Sequence, residues 1–489
     1  MAVHPRTPVI VGVGQYKQQL ADVGDALEQY ELMVEALRLA AADAGAPRLL
    51  TAVDRLLVIG GMWRYPDPGR LIADAVGAPD ASTLLTAMGG NMPQTCVSDA
   101  CERILAGLND VVVVAGGEAV YSKNKLRKDG RDLGRTGYDL PAAEFFGTDV
   151  TMSSEHERSL GFVMPTVVYP LFESAVRAAA GRSLEGHREV IGELWADFNA
   201  VAVDNPYAWV RTPMTAEEIV TPSASNRMVG LPYTKSMNAN SFVDFGGAII
   251  VTSAEKAEAL GVPSDRWVFP YSGTDGHATL LFSERDDFHS SPAIRLTGSK
   301  ALELAGAGID DIGHMDLYSC FPSVVQITMN ELGIAPGTRV TTTGGLPFFG
   351  GPMNSYVIHA IASTVDAVRG DAGSLGFVHA NGGYATKHAC AVYGTAPPEQ
   401  PFRRVDVQAA IDAYPGRDVD EAPSGDAVTE SFTVLHGRDG PERALMTALM
   451  PDGRRALGGS TSREVIDAMS TEEFVGRPVR MSPDGTAAY

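Results

Sequence analysis

Cysteine is scarce, with four residues (Cys96, Cys101, Cys320 and Cys390) in a chain of 489. That excludes a disulfide-stapled scaffold and suits a reducing, cytoplasmic setting. Basic residues are short as well: 39 Lys and Arg stand against 60 Asp and Glu, a formal net charge of -21. A surface of that sign repels polyanions, so a general affinity for nucleic acid or anionic membrane is excluded. A small anion held in one local basic pocket is not. No apolar run approaches the roughly 18 residues that a membrane-spanning helix needs. The longest, at 111–114 and 248–251, are strand-sized. The opening MAVHPRTPVIVGVGQ lacks the basic-then-apolar pattern of a secretory leader. Metal and nucleotide signatures are missing too: there is no CxxC pair, HExxH, P-loop or GxGxxG after a strand.

What is present is an ordinary globular composition, 45% hydrophobic and 20% charged. The length gives a prior of about three domains. Short β-branched runs alternate with long amphipathic stretches, the pattern of βαβ units. Strands are expected over 7–15, 54–60, 82–87 and 109–115, with helices over 27–44 and 93–106. The NDVVVVA stretch reads as a central parallel strand, near-continuously apolar. A similar programme restarts after about residue 266: helices over 291–305, 322–332 and 352–368, and strands over 314–319, 374–380 and 388–393.

The restart looks like duplication. TAMGG at 86–90 has a counterpart in TTTGG at 341–345, and AGG at 115–117 has one in the HANGG of 379–383. The copies lie about 255 and 266 residues apart, in matching order and on matching element types. Between the halves, 121–241 is poor in strands and reads as an insertion. Beyond Gly394 the Pro-containing TAPPEQPFRR reads as a linker. After it, TESFTVLH and RALMTALM alternate like antiparallel strands, followed by a short helix over 462–469 and a last strand over 477–481.

The doubled plan and its loop blocks resemble the thiolase superfamily over about residues 5–396. The carrying segments are NPYAWVRTPMTAEEIVTPSASNRMVGLPYTKSMNANSFVDFGGAIIVTS at 205–253, YSCFPSVVQ at 318–326, GGLPFFGGPMNSY at 344–356 and HANGG. They are similar to the loop-domain return, the His-Asp-Cys-Phe block, the Gly-His-Pro loop and the C-terminal His-Asn-x-Gly block of SCP2-type thiolases. With the appended module, the chain resembles the bacterial thiolase-like proteins of type 1. The resemblance implies an α/β fold of two βαβαβαββ halves in five αβαβα layers, with a loop-domain insertion and a small β-rich, OB-like C-terminal domain. It divides the chain into 1–120 with 242–265, 121–241, 266–396 and 397–489. It also implies acyl-CoA as the small-molecule ligand, no required cofactor and no metal. The thiolase default is a homodimer; the extra domain leaves a monomer as the alternative.

In thiolases two central helices aim their N-terminal ends at one site, where free N–H groups and the dipole stabilise a thioester oxyanion. By resemblance the nucleophilic Cys position falls on Asn91, or on Gly90 if the register slips by one, and the Gly-His-Pro histidine falls on Gly351. Nucleophile and activating base, which work as a unit, are absent together. The acid/base Cys maps to His379 and the water-orienting position to Tyr318. Tyr318, Cys320 and His379 are therefore expected as the remnant catalytic group, on loops facing the helix ends, with His379 titrating near working pH. Tyr384 follows the HANGG turn and is a further candidate, since SCP2-like steroid-CoA aldolases use tyrosines for acid/base work. Cys96 and Cys101 read as small apolar core residues. The basic run with Lys123, Lys125, Arg127, Lys128, Arg131 and Arg135 reads either as a solvated loop or as the CoA phosphate site. Trp209 and Arg211 read either as loop anchors or as an adenine platform. Three functions follow: an acetyl-CoA acetyltransferase-like enzyme of lipid metabolism, a non-catalytic acyl-CoA-binding protein, or a retro-aldol lyase acting on a β-hydroxyacyl-CoA.

Overall fold

The all-valine core of NDVVVVA reads as a buried strand, and in the computed structural model, which describes residues 3–134 and 136–489, Val111–Ala119 is buried at all nine positions. Its place explains why. The first sheet runs Pro8–Lys17, Asp244–Ser253, Val111–Ala119, Arg55–Val58, Ser82–Thr86, Glu144–Phe146, so this strand lies inside it. The second sheet runs Ile312–Leu317, Leu375–Gly382, Lys387–Gly394, Phe269–His277, Arg403–Asp406. Pro8–Lys17 is antiparallel to Asp244–Ser253, which is antiparallel to Val111–Ala119, which is parallel to Arg55–Val58. Phe269–His277, Lys387–Gly394, Leu375–Gly382 and Ile312–Leu317 repeat that order and those directions. The duplication expected from the paired glycine motifs is present in the strand topology.

Helices Met92–Leu105 and Tyr356–Gly370 form the layer between the sheets. The first bonds to the second sheet through Tyr393 on Gln94 and Thr95 on Asp275. The other reaches the first sheet through His359 and Gln15, 3.0 Å apart. Outer helices close both faces. Gln29–Asp43 lies so near the first sheet that a Cβ on Gly14 or Gly246 would fall 1.9 or 2.0 Å from a helix carbonyl oxygen. Only glycine permits that approach.

The expected helix over 352–368 starts late, at Tyr356. Pro352 (φ -72, ψ 63) makes an inverse γ-turn in which Met353 N–H bonds to the Gly351 carbonyl at 2.7 Å, and Met353 adopts φ 47. A third sheet holds the chain's end: Gly425–His436, Pro441–Leu449, Pro478–Met481 and Arg455–Ser460, the last a strand beyond those expected from the sequence. This sheet is not separate from the rest, because Leu435 pairs with Gly230 of the insertion. Arg403–Asp406 and Glu144–Phe146 are edge strands of the two core sheets.

Candidate functional site

The helix Met92–Leu105 emerges from Gly89, Gly90 and Asn91 at the end of Ser82–Thr86. Asn91 is its N-cap residue, but its side chain does not cap the helix. Its Nδ2 approaches only the Met92 sulfur at 3.8 Å, and its Oδ1 is buried without a partner among the described residues. Pro93 in the first turn supplies no N–H. From the second half, Asn381 and Gly382 come in at backbone distance. A Cβ on Gly90 would sit 2.3 Å from the Asn381 carbonyl oxygen and 2.8 Å from the Tyr318 hydroxyl; one on Gly382 would sit 2.9 Å from Asn91 Oδ1. Gly90, Asn91, Tyr318, Asn381 and Gly382 therefore converge on one point.

Tyr318 and Cys320 follow the strand Ile312–Leu317. The Tyr318 ring stands edge-on to Tyr356 at 5.5 Å, and burial pushes its phenol pKa up, keeping it protonated. Cys320 is held by its carbonyl, which accepts from Ala239 N–H at 3.1 Å, and burial pushes its thiol up to about 12. Two further residues complete the group. Tyr169, on helix Pro165–Ala179 of the insertion, donates its hydroxyl to the Gly383 carbonyl at 3.0 Å. It accepts from Ala385 N–H at 2.9 Å and from Asn381 Nδ2 at 3.2 Å. Asn381 Oδ1 is a second buried carbonyl oxygen with no partner among the described residues. Asn381 lies inside the HANGG string and was open to view in the sequence; Tyr169 carried no signal.

His379 is not placed as expected. It lies within the strand Leu375–Gly382, 1% exposed, 3.4 Å from Thr328 Oγ1 and 3.1 Å from His388 Nδ1, under helix Pro322–Leu332. Burial pulls its pKa down to about 3, so it is neutral at working pH and offers no base near neutrality. The residue whose backbone faces Gly90 is Asn381, two positions on. Gly351 donates its N–H to the Asn240 carbonyl at 2.8 Å. Tyr384 gives its hydroxyl to the Val163 carbonyl. Cys96 and Cys101 are fully buried, with their thiols pushed up by burial.

These buried imidazoles make stability depend on pH. Burial lowers His359 and His379 to about 3, and His388 falls well below its ordinary value. Below about 6.5 the unfolded chain takes up protons that the native state refuses, so stability is complete above that pH and is lost on acidification. His359 and His379 each contribute on the order of 2 kcal/mol of loss by pH 5, and His388 acts in the same direction. Glu118, raised by burial to about 7, works the other way and offsets about one of them, and Asp244, Asp316 and Asp366, also raised by burial, act in the same sense as Glu118. The denaturation midpoint in urea is expected to be lower at pH 5 than at pH 7; a midpoint that rises on acidification would contradict this.

A cleft of 1190 Å³ opens between the insertion and the core, lined among others by Met214, Asn238, Ala239, Asn240, Phe242 and Phe348. Two of its lining residues are bonded to the backbone of segments that lead to the site. Ala239 bonds to the Cys320 carbonyl, and Asn240 is bonded to both Leu346 and Gly351. Asn238 Oδ1 is buried without a partner among the described residues. The exposed cations Arg227 and Lys235 also line it.

The basic run is placed elsewhere. Lys123, Lys125, Arg127 and Lys128 lie on helix Val120–Lys128, with Arg131 exposed just beyond; Arg135 lies outside the described residues. Lys123 lines a separate cleft of 610 Å³ with Trp63, Arg64, Tyr65 and Asp132. Lys125 sits 4.8 Å above the Tyr121 ring and donates to the Ala21 carbonyl. Trp209 packs on Tyr121 and Phe245, and Arg211 donates to the Val203 carbonyl, so both anchor loops. Among the described residues no group of three His, Cys, Asp or Glu side chains is placed to hold a metal ion, and no helix is long and apolar enough to cross a membrane.

Comparison with known proteins agrees with this fold. Residues 406–486 match the family model of the thiolase-like protein type 1 additional C-terminal domain. A 185-residue stretch is 24% identical to the benzoylsuccinyl-CoA thiolase subunit BbsB of Thauera aromatica. That match covers 34% of this chain and 46% of the relative, so the chain spans about half the length of the curated protein it matches. The Ltp2-ChsH2(DUF35) aldolase shares the fold, with a TM-score of 0.61 and 21% identity over 80% of this chain and 98% of that one. A monomeric SCP2-thiolase like protein type 1 from Mycobacterium smegmatis superposes with a TM-score of 0.85 and 31% identity, covering 100% of both chains. Similar from end to end, appended module included, the chain belongs to the SCP2-thiolase-like protein type 1 family.

Proposed function

We propose that the protein binds acyl-CoA thioesters without ordinary ping-pong thiolase turnover. The observation that carries the reading is Asn91, an amide whose carbonyl oxygen has no partner among the described residues where the helix meets the converging loops. An amide neither attacks a thioester nor leaves as a thiolate does, and Gly351 has no side chain to activate a nucleophile. Acyltransferase thus describes the family class rather than a turnover of this chain.

The 1190 Å³ cleft is roomy enough for a CoA thioester, and its lining residues Ala239 and Asn240 are backbone-bonded to Cys320 and Gly351, which favours it as the entry path. In this reading Arg227 and Lys235 meet the phosphates in place of the Lys123 run. Thermal-shift titration tests it: millimolar acetyl-CoA is expected to stabilise the chain by about 3 kcal/mol once the ligand is near a hundredfold above Kd. Arg227→Gln with Lys235→Gln is expected to weaken binding about tenfold, or ~1.4 kcal/mol, while Lys123→Gln with Arg127→Gln leaves it unchanged. The reverse pattern would return the phosphates to the basic run. No stabilisation at millimolar acetyl-CoA would remove the binding role.

Retro-aldol cleavage of a β-hydroxyacyl-CoA is the second reading, favoured by the hydroxyl of Tyr318 beside Gly90. Asn91 Oδ1 and Asn381 Oδ1 offer acceptors for a β-hydroxyl, and the protonated phenol suits an acid. A base for the hydroxyl proton is what this arrangement lacks, so binding is preferred. Lyase turnover undiminished in Tyr318→Phe would take Tyr318 out of the second reading. With its third sheet joined to the insertion, the chain is proposed to be a monomer in the cytoplasm, the C-terminal module being OB-like.

A further inference from the structure

We infer that Arg455, a side chain of the C-terminal module, is a positioning residue for the turn that closes the candidate site. Arg455 is fully buried on the strand Arg455–Ser460. One side of its guanidinium fork pairs with Glu430, with Nε 2.6 Å from Oε2. The other side leaves the module and donates to the backbone carbonyls of Ser283 at 2.6 Å, Arg285, and Asp286 at 3.0 Å, with the ring of Phe288 4.2 Å beneath. A planar five-donor fork can hold three carbonyls of one loop together; an ammonium on a flexible stem holds such an array poorly.

That loop carries Arg285, the next link. Its Nη2 donates to the carbonyls of Tyr384, at 2.7 Å, and Ala385, and lies 3.4 Å from Thr386 Oγ1. The turn it grips is strained, since Ala385 has φ 50, a region that a side-chain-bearing residue occupies at some cost. Such a conformation persists only when its surroundings over-determine it. Here the Ala385 N–H is given to Tyr169, and its carbonyl is shared by Arg285 and His388. Tyr169 in turn receives Asn381, whose backbone carbonyl faces Gly90. A continuous set of hydrogen bonds therefore runs from the module, through 283–286 and 383–386, to the point where Gly90, Asn91 and Tyr318 meet. The module is more than an appendage on this account: it holds the strained turn in the form that the site requires.

The test is hydrogen–deuterium exchange on the full-length chain, read at the amides of 380–388. Arg455→Met is expected to raise exchange there at least tenfold, and Arg455→Lys to restore only part of the protection. Met469→Ala, in the module's own apolar core, serves as the control: it loosens the module without touching the chain of bonds, and 380–388 should stay protected. Should Arg455→Met fail to fold, Glu430→Gln, which weakens the hold on Arg455 without removing it, is expected to raise exchange in the same segment to a smaller degree. Unchanged exchange at 380–388 in the folded Arg455 or Glu430 variant would overturn the inference. So would an equal rise in Met469→Ala. The readout needs no ligand, so failure of acyl-CoA binding leaves it standing or falling by itself.

Discussion

Replacing Glu173 with leucine is expected to cost about 3–5 kcal/mol of stability, a large share of what a folded domain holds in reserve. Glu173 is fully buried on helix Pro165–Ala179 and receives three donors from three separate segments. Gln326 Nε2 donates from helix Pro322–Leu332 at 2.6 Å, His187 Nε2 lies 2.5 Å away on helix Leu184–Asp204, and the Tyr233 hydroxyl comes from the insertion's return. Leucine fills the volume but removes the acceptor shared by all three; Tyr233 and Gln326 keep only single second acceptors in Ser323 Oγ and the Pro322 carbonyl, and an unmet buried donor costs more than its bond contributes. The effect should reach the candidate site, because Tyr169 lies one turn earlier on the same face of the helix. Glu173→Gln, which keeps the shape and one acceptor oxygen, should fall between. The check is the urea midpoint of the three proteins. A leucine variant within about 1 kcal/mol of the parent would show that the network does not hold the insertion to the core.

The second large effect is one of activity: thiolysis and Claisen condensation should stay at the uncatalysed background. A positioned general base alone contributes about 10²–10⁴-fold, and on the proposed reading Asn91 and Gly351 supply neither nucleophile nor base. None of the four cysteines substitutes. Burial pushes Cys320 and Cys390 up to about 12 and raises Cys96 and Cys101 as well. At pH 7 a thiol of pKa 12 is ionised in only about one molecule in 100,000, and the thiolate is the reacting form. The neutral His379, locked between Thr328 and His388, is not available to take a proton from any of them.

Much of the fold was readable from the sequence because its core strands are continuous apolar runs and its duplication repeats loop chemistry in order. The strand ends were harder. The strand expected over 109–115 ends at the glycine pair of AGG, yet Val111–Ala119 runs straight through it, since Gly116 and Gly117 pair with Gly247 and Gly246 on the neighbouring strand. Arg455–Ser460 escaped for a related reason: RALGGS has two glycines and a charged first residue, and only the buried pairing with Pro441–Leu449 makes it a strand. At the site, resemblance drew attention to Asn91 and Tyr318. It put His379 in the acid/base position, where the geometry puts Asn381 against Gly90, because residues two apart on a strand share a face and their depth is set by what packs over them. Tyr169 arrives from a helix distant in sequence, and no local pattern marks it. A run of positive charge is conspicuous in a sequence, whereas Arg227 and Lys235 are brought to one cleft only by folding.

The central claim is that this member of a thiolase-like family keeps the acyl-CoA path and has lost the covalent step. Intact-protein mass spectrometry after incubation with acetyl-CoA, under conditions where the ligand raises the melting temperature, tests it directly. The expected result is a stabilised protein of unchanged mass. A protein heavier by one acetyl group, with the label mapped to Cys320 or to the peptide around Asn91, would contradict it.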